Sequence, residues 1–340
     1  MKPKLLVFEL WGLGDLIIGT PFFLAASQRY DVTLVAKPYA LDLQQRFWPG
    51  VKVVPFVAPW TAFTHKYRLY AWPWGRMLRL VFSLSRERFD FGLSARRGAD
   101  GRGDPRDHFL LWLAGARVRL GFGRLGSGAL LTRSLAQPEP QAHRYESWRV
   151  MARELNLEVP ARESIVLPHS RPDGEILLHT GAGQPVRVWP LERYRRLVAR
   201  LRQRGYRVQV ACDPDQHAWW VQSGETGVVT PRRVSELYAL VDRAGVFLGN
   251  DSGPGHLAAF CGVPTFTWSG PQVPELFAPL HPASEWLEGK ACPYRPCSDY
   301  CRFAAPCCML NSSEEEVWPL VESFVARNLD APASAPPFPS

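Results

Sequence analysis

Twice in this chain a short apolar run ends in a glycine-rich turn that opens a helical stretch. The first is Lys4–Leu10, followed by GLGDLIIGTP from Gly12 to Pro21. The second is Glu175–His179, followed by TGAGQPVRVWP up to Pro190. A short run that is apolar throughout suits a strand buried on both faces, the condition of strands in a parallel sheet. After each start the pattern alternates. In the first half Asp31–Ala36, Lys52–Val57, Phe89–Leu93 and Val118–Gly121 read as strands, Pro55 weakening the second of them. Helices are expected at Pro21–Ser27, Asp107–Ala116 and Glu146–Leu155, and Trp60–Leu84, aromatic and basic, reads as loop plus helix. In the second half Leu191–Arg204 places Leu191, Tyr194, Leu197, Val198 and Leu201 on one helical face and stops at Gly205. Arg207–Ala211, Val246–Gly249 and Pro264–Trp268 read as strands, and Val234–Ala244 and Pro254–Phe260 as helices. Strands alternating with helices in this way imply an α/β protein with parallel sheets. Two such units in tandem would form a cleft, and ligands of open α/β sheets bind at the carboxyl ends of the strands.

The boundary between the units is expected near 158–175, where EVPARESIVLPHSRPDGE holds three prolines, mixed charge and little periodicity. A length of 340 residues suits two domains. The segment 330–340 is rich in Pro, Ala and Ser and reads as a disordered tail. No apolar run reaches the roughly 18 residues of a spanning helix. Glu9 and Asp15 interrupt the apolar N-terminal stretch, which argues against a signal peptide and makes the cytosol the expected compartment. The formal charge is +8, and 34 of the 40 basic residues are arginine. A cytosolic protein of that sign commonly meets phosphate, in nucleic acid, nucleotides or a lipid surface.

Four segments carry possible chemistry. In the first, Gly12 and Gly14 permit a sharp turn and close backbone approach. Asp15 follows at a strand's carboxyl end near a helix N-terminus, where it is either a functional carboxylate or a plain cap. The dinucleotide fingerprint fits poorly, because the third glycine falls at Gly19 and the second strand ends in Lys37 rather than an acid. In the second, Thr180, Gly181, Ala182 and Gly183 can offer backbone N–H groups and a hydroxyl to phosphate oxygens. Arg187 adds a forked cation, against the alternative of a chance arginine in a solvated loop. The third is GNDSGPGHLAAFCGVP, Gly249 to Pro264, a helix N-terminus with Asp251, Ser252, Gly253 and His256 placed to accept an anion or sugar hydroxyls. Asp251 or Ser252 could equally be an ordinary N-cap. The fourth is a run of five cysteines, Cys292, Cys297, Cys301, Cys307 and Cys308. Its spacing fits no common zinc pattern, so a structural metal or redox-sensitive loop stands against small apolar fillers of a tight loop. Asp213-Pro214-Asp215 could bind a divalent metal or form a turn.

The ordered trio GLGDLIIGTP, HTGAGQPVRVWP and GNDSGPGHLAAFCGVP resembles the family-9 glycosyltransferases, the heptosyltransferases of bacterial lipopolysaccharide core synthesis and their relatives. The resemblance covers roughly residues 4–325 and is weakest over 55–150, where acceptor specificity would be set. It implies a GT-B fold, two Rossmann-like domains with parallel sheets facing across a cleft. Expected are an acceptor-side domain at 1–165, a nucleotide-sugar domain at 172–312 and a helix at 313–329 that crosses back. The implied reaction is inverting transfer of a heptose from an ADP-activated sugar to a lipopolysaccharide-core or other glycan acceptor. No metal or other obligatory cofactor is expected. The resemblance makes Asp15 the general base. It assigns donor binding to Gly14, Thr180, Gly181, Ala182, Arg187, Asp251, Ser252, Gly253 and His256. Arg187 stands where the family has a lysine, and Asp213, Asp215 and Gln216 are candidates for the ribose. The implied partners are a nucleotide-sugar donor and an anionic glycan or glycolipid acceptor, with peripheral contact at the inner face of the cytoplasmic membrane and no nucleic acid. Arg96, Arg97, Arg102 and Arg106 either meet that acceptor or form a solvated surface. The competing function is a non-catalytic nucleotide- or glycan-binding protein on a degenerate transferase scaffold.

Overall fold

The computed structural model describes residues 2–61, 68–98, 102–123, 129–165, 167, 171, 173–297 and 300–329, so the expected tail at 330–340 lies outside them. The chain divides into two compact units, Met1–Ala161 and Arg162–Ser340.

The first unit holds β1 (Lys4–Glu9), α1 (Leu13–Arg29), β2 (Asp31–Ala36), α2 (Ala40–Phe47), β3 (Lys52–Pro55), α3 (Trp74–Ser85), β4 (Phe91–Leu93), α4 (Pro105–Leu113), β5 (Val118–Gly121), β6 (Arg133–Ser134) and α5 (Arg144–Glu154). Its six strands are all parallel in the order β3-β2-β1-β4-β5-β6. The chain works outward from β1 to one edge and then returns to build the other. The strand order reverses between β1 and β4, and a doubly wound sheet binds ligands beside such a reversal. Leu5, Leu6, Val7 and Phe8 of β1 are fully buried, as a central strand covered on both faces requires.

Helix α1 runs from Leu13 to Arg29 and contains the expected stretch Pro21–Ser27, proline included. The Asp15 carboxylate accepts the Gly12 N–H at 3.0 Å and starts the helix there. Gly19, the misplaced third glycine of the dinucleotide pattern, serves packing. A Cβ there would lie 2.9 Å from the Trp148 ring, so its absence lets α1 lie flat against α5.

The second unit holds β7 (Glu175–His179), α6 (Leu191–Gln203), β8 (Val208–Ala211), α7 (His217–Gln222), α8 (Val234–Val241), β9 (Ala244–Asn250), α9 (Gly253–Phe260), β10 (Thr265–Ser269), α10 (Pro274–Phe277), β11 (Glu285–Glu288), α11 (Cys307–Leu310) and α12 (Glu314–Asn328). The five strands are again parallel, in the order β11-β10-β9-β7-β8, and the reversal falls at β7 and β9. Helix α8 stops at Val241, and Ala244 opens β9 instead of closing the helix. The core of this unit includes Trp189, Tyr194 and Trp268, with the two indoles stacked at 5.2 Å. The terminal helix α12 adds Val317, Val321, Phe324 and Val325 to the same core. Its start is fixed by a capping box in which Ser313 Oγ accepts the Glu316 N–H and Glu316 accepts the Ser313 N–H.

Candidate active-site residues of the two units

In the first unit five titratable side chains, Glu9, Asp15, Lys37, Arg96 and Arg144, gather near the sheet's reversal. One Asp15 oxygen takes the Gly12 N–H, and the other faces Arg96 Nη1 at 3.3 Å. Capping and a functional carboxylate are therefore compatible at this residue. The Arg96 guanidinium lies 4.0 Å above the Trp11 ring, which fixes its plane. Glu9, the last residue of β1, is buried and accepts the Trp11 N–H at 3.2 Å. Burial, and next the negative charge of Asp15, push the Glu9 carboxyl up to about 8. Lys37 at the end of β2 is pulled below its ordinary value by burial, against the pull of Asp15 and Glu9. Burial, then Arg96 and Arg97, bring Arg144 down to about 9. Glu9, Lys37 and Arg144 escape the sequence reading as site residues because they come from three different elements, β1, the end of β2 and α5. The apolar run LLVFEL did contain one signal, a carboxylate inside a strand that reads as wholly buried.

The neighbouring arginines divide sharply. Arg97 is buried, and its guanidinium donates to Ser147 Oγ, Glu139 O and Ala142 O at 2.8, 3.1 and 2.6 Å. It ties the loop before α5 to the sheet and is neither an acceptor contact nor a solvated surface, contrary to both expectations. Arg106 pairs with Asp104 at the start of α4.

In the second unit the ends of β7 and β9 meet around Asn250. Its Oδ1 accepts the Trp189 N–H at 3.0 Å and the Tyr194 hydroxyl at 2.8 Å. Its Nδ2 donates to the Thr180 and Gly181 carbonyls at 2.9 and 3.4 Å. This clamp holds the 185–189 turn beside the residues after β9. Arg187 Nη1 consequently lies 3.3 Å from the Asp251 carbonyl and 3.7 Å from its carboxylate. His256, one turn into α9, has Nε2 3.9 Å from the other Asp251 oxygen. Ser252 is the N-cap of α9, and its buried hydroxyl has no hydrogen-bond partner among the described residues. Gly253 opens the helix, so the site combines a cation with a helix N-terminus. Arg187, Asp251, Ser252, Gly253 and His256 are thus brought together as expected. Gly14, in the first turn of α1, and Ala182, in the turn after β7, stand half-buried.

Thr180 departs from the expectation. Its N–H donates to the Ala211 carbonyl at 3.0 Å within the sheet. Its hydroxyl donates to Gln216 Oε1 at 2.8 Å and accepts from Trp220 Nε1 at 3.2 Å. Both donors are spent inside the fold and neither faces a phosphate. Gly181 also has its N–H engaged, by His179 Nδ1 at 3.2 Å. What Gly181 supplies is space: a Cβ would stand 2.2 Å from the Asp213 carboxyl carbon. Gln216, buried against Thr180, drops out as a ribose ligand, and residues 214–216 form a turn. The five clustered cysteines line one small cavity with Gly270. Burial, then the neighbouring cysteines, push Cys308 up to about 11. Among the described residues no group of three or more His, Cys, Asp or Glu is placed to hold a metal ion.

Comparisons with known proteins agree with this geometry. A curated relative, lipopolysaccharide heptosyltransferase 3 of Escherichia coli, is 30% identical over 135 residues, 37% of this chain and 36% of the relative's length. The chain therefore spans about a third of that relative in the match. A family 9 glycosyltransferase from Veillonella parvula superposes with a TM-score of 0.73 at 17% identity, over 96% of this chain and 98% of the other. The E. coli heptosyltransferase WaaC with ADP gives a TM-score of 0.70 at 16% identity, over 94% and 99%. These likenesses identify the two parallel α/β units as the GT-B fold. The family described as glycosyltransferase family 9 (heptosyltransferase) matches residues 78–303. With well over half of its length so matched, the chain belongs to glycosyltransferase family 9.

Proposed function

We propose that this protein transfers a heptose from ADP-heptose to a hydroxyl group of a lipopolysaccharide-core acceptor, with inversion at the anomeric carbon. The observation that carries the reading is Asp15: a partly exposed carboxylate at the first sheet's reversal, held by the Gly12 N–H and faced by Arg96. Pure binding needs no such group. In the reaction the acceptor hydroxyl gives its proton to Asp15 as its oxygen bonds to the anomeric carbon. The bond from that carbon to the β-phosphate oxygen breaks, and its electron pair leaves with ADP. Arg187 and the N–H groups opening α9 stabilise the charge that develops on the diphosphate. Glu9, pushed up to about 8 by burial and by the Asp15 charge, is mostly neutral at pH 7. Arg96 keeps Asp15 oriented and supplies positive charge for an anionic acceptor. The names of the relatives, one a lipopolysaccharide heptosyltransferase and one solved with ADP, support this donor and acceptor class.

The test is ADP release from a panel of nucleotide sugars, with and without core-type acceptors. Asp15→Asn should fold normally and lose about 10²- to 10⁴-fold in kcat, the usual share of a general base. Near wild-type turnover in that variant would remove Asp15 from the role. Tight ADP binding without transfer to any acceptor would favour the non-catalytic alternative. Wild-type activity should persist in excess chelator. Complete loss there would redirect attention to Asp213 and Asp215.

A further inference from the structure

Glu9 closes β1 with a carboxyl, in a strand whose residues from Leu5 to Phe8 are apolar and fully buried. At 4% exposure it is beyond the reach of an acceptor, unlike the partly exposed Asp15. A buried carboxyl weakens a fold, so its presence beside a functional site calls for a use. Holding the turn after β1 does not require an acid, because a glutamine oxygen would accept the Trp11 N–H equally well.

The contacts of Glu9 lead to the pair of Asp15 and Arg96. Glu9 Oε1 accepts the Trp11 N–H at 3.2 Å, and the Trp11 carbonyl accepts the Tyr39 hydroxyl at 2.9 Å. Both backbone groups of Trp11 are thereby held, and the Arg96 guanidinium lies 4.0 Å above its ring. Arg96 Nη1 in turn faces Asp15 Oδ1 at 3.3 Å. From the other side Ser94 Oγ accepts the Arg96 N–H at 3.4 Å and donates to the buried Asp107 at 2.9 Å. Trp11 thus carries the position of the end of β1 to the guanidinium that faces Asp15.

We propose that Glu9 is a positioning residue of the transfer reaction, holding Trp11 so that its ring seats Arg96 against Asp15. The inference rests on the reading of Asp15 as the general base. It also gives the acid a use that glutamine could not serve, because an ionised Glu9 competes with Asp15 for Arg96. The groups that face Glu9 are Asp15 from α1, Lys37 and Tyr39 from the segment after β2, Arg96 from the segment after β4, Asp107 from α4 and Arg144 from α5. Burial, then the charge of Asp15, push the Glu9 carboxyl up to about 8, while Arg96 favours its ionised form. As pH rises through about 8, Glu9 gains a negative charge that draws the guanidinium away from Asp15, and transfer falls.

The experiment follows ADP release from ADP-heptose with a core-type acceptor, as a function of pH, in the full chain and its variants. At about pH 6, Glu9→Ala and Trp11→Leu should each lower kcat by about tenfold or more and leave KM for the donor unchanged. The double variant should be little worse than the weaker single one, since both break the same link. Glu9→Gln, which keeps an oxygen for the Trp11 N–H, should rescue most of the loss seen with alanine. At about pH 9 only about a tenth of wild-type Glu9 is still neutral, so Glu9→Gln should there exceed the wild type in kcat/KM by about tenfold. Titration of Lys37 or Arg144 would affect both proteins alike. Parallel pH profiles for the wild type and Glu9→Gln would overturn the proposal, even if Glu9→Ala fails to fold. So would wild-type kcat in a Glu9→Ala variant, and with Asp15→Asn inactive that result would sink this inference alone. Full activity in Asp15→Asn would remove the base and this inference with it.

Discussion

Replacing Asn250 should do more damage than its size suggests. The side chain is fully buried at the end of β9 and uses all four of its hydrogen-bonding positions. In Asn250→Ala the Trp189 N–H and Tyr194 hydroxyl lose their acceptor, and the Gly181 carbonyl loses this donor. The Thr180 carbonyl retains Gln216 Nε2 at 3.2 Å and is the least affected. Three buried groups left unsatisfied cost about 1–3 kcal/mol each, reduced by local relaxation, so a loss of about 3–5 kcal/mol is expected. In a unit of this size that is roughly a 10 °C fall in melting temperature. Asn250→Asp separates hydrogen bonding from volume. Ionised, its second oxygen would face the two carbonyls that Nδ2 now serves; protonated, it regains one donor. The introduced carboxyl should therefore have a raised folded-state pKa, and stability should be retained at acid pH and lost as pH rises. The alanine variant should lack that dependence. Urea unfolding followed by tryptophan fluorescence, in the second unit's transition, measures both. A cost below about 1 kcal/mol for Asn250→Ala, or parallel pH profiles for the two variants, would refute the account of Asn250 as the clamp.

Other outcomes follow from the same contacts. Glu9 is raised from 4.5 to about 8 in the folded state, so its contribution to stability is present below pH 4.5 and is lost as pH rises through about 8. Glu9→Gln should match the wild type in melting temperature at pH 4.5 and exceed it above pH 8; equal melting at both would contradict burial of the carboxyl. Gly181→Ala should destabilise by about 1–3 kcal/mol through overlap with Asp213, and Asp213→Ala should restore most of it in a double-mutant cycle. Arg96→Gln should leave stability within about 1 kcal/mol, since its pair with Asp15 is partly solvated, but should reduce transfer. Arg97→Gln should do the reverse, and equal effects of the two on activity and melting would undo the distinction drawn between these neighbours.

The sequence was legible where one local rule sufficed. Asp31–Ala36, Val118–Gly121 and Glu175–His179 are strands at the expected residues, because each is a short β-branched or apolar run bounded by a breaker. The glycine-rich segments after β1 and β7 were equally legible as strand ends, since glycines after a strand mark a carboxyl end whatever the partner. The helix containing Pro21 was legible from its apolar run, whereas its exact start is set by the Asp15 carboxylate accepting the Gly12 N–H. Thr180 misled. A hydroxyl in a glycine-rich turn looks available, and only the arrival of Gln216 and Trp220 from 36 and 40 residues away turns it inward. Glu9, Arg96 and Arg144 form one electrostatic group only because β1, β4 and α5 are assembled together. Strand β11 and helix α7 are too short for any periodicity to register.

The parallel sheet of the first unit also has a kinetic consequence. Its central strand is made well before β4, and β1 gains its second neighbour only when Leu5 meets Phe91. No hairpin can shelter it meanwhile, because parallel neighbours need long crossovers. Until Phe91–Leu93 has been made and folded in, KLLVFE therefore keeps at least one unpaired edge. Such a strand invites association with other chains, and sheets built from distant pairings form slowly. The turn that leads to Asp15 thus depends on a strand that must stay soluble until β4 arrives, so a chaperone that shields β1 would favour folding of this unit.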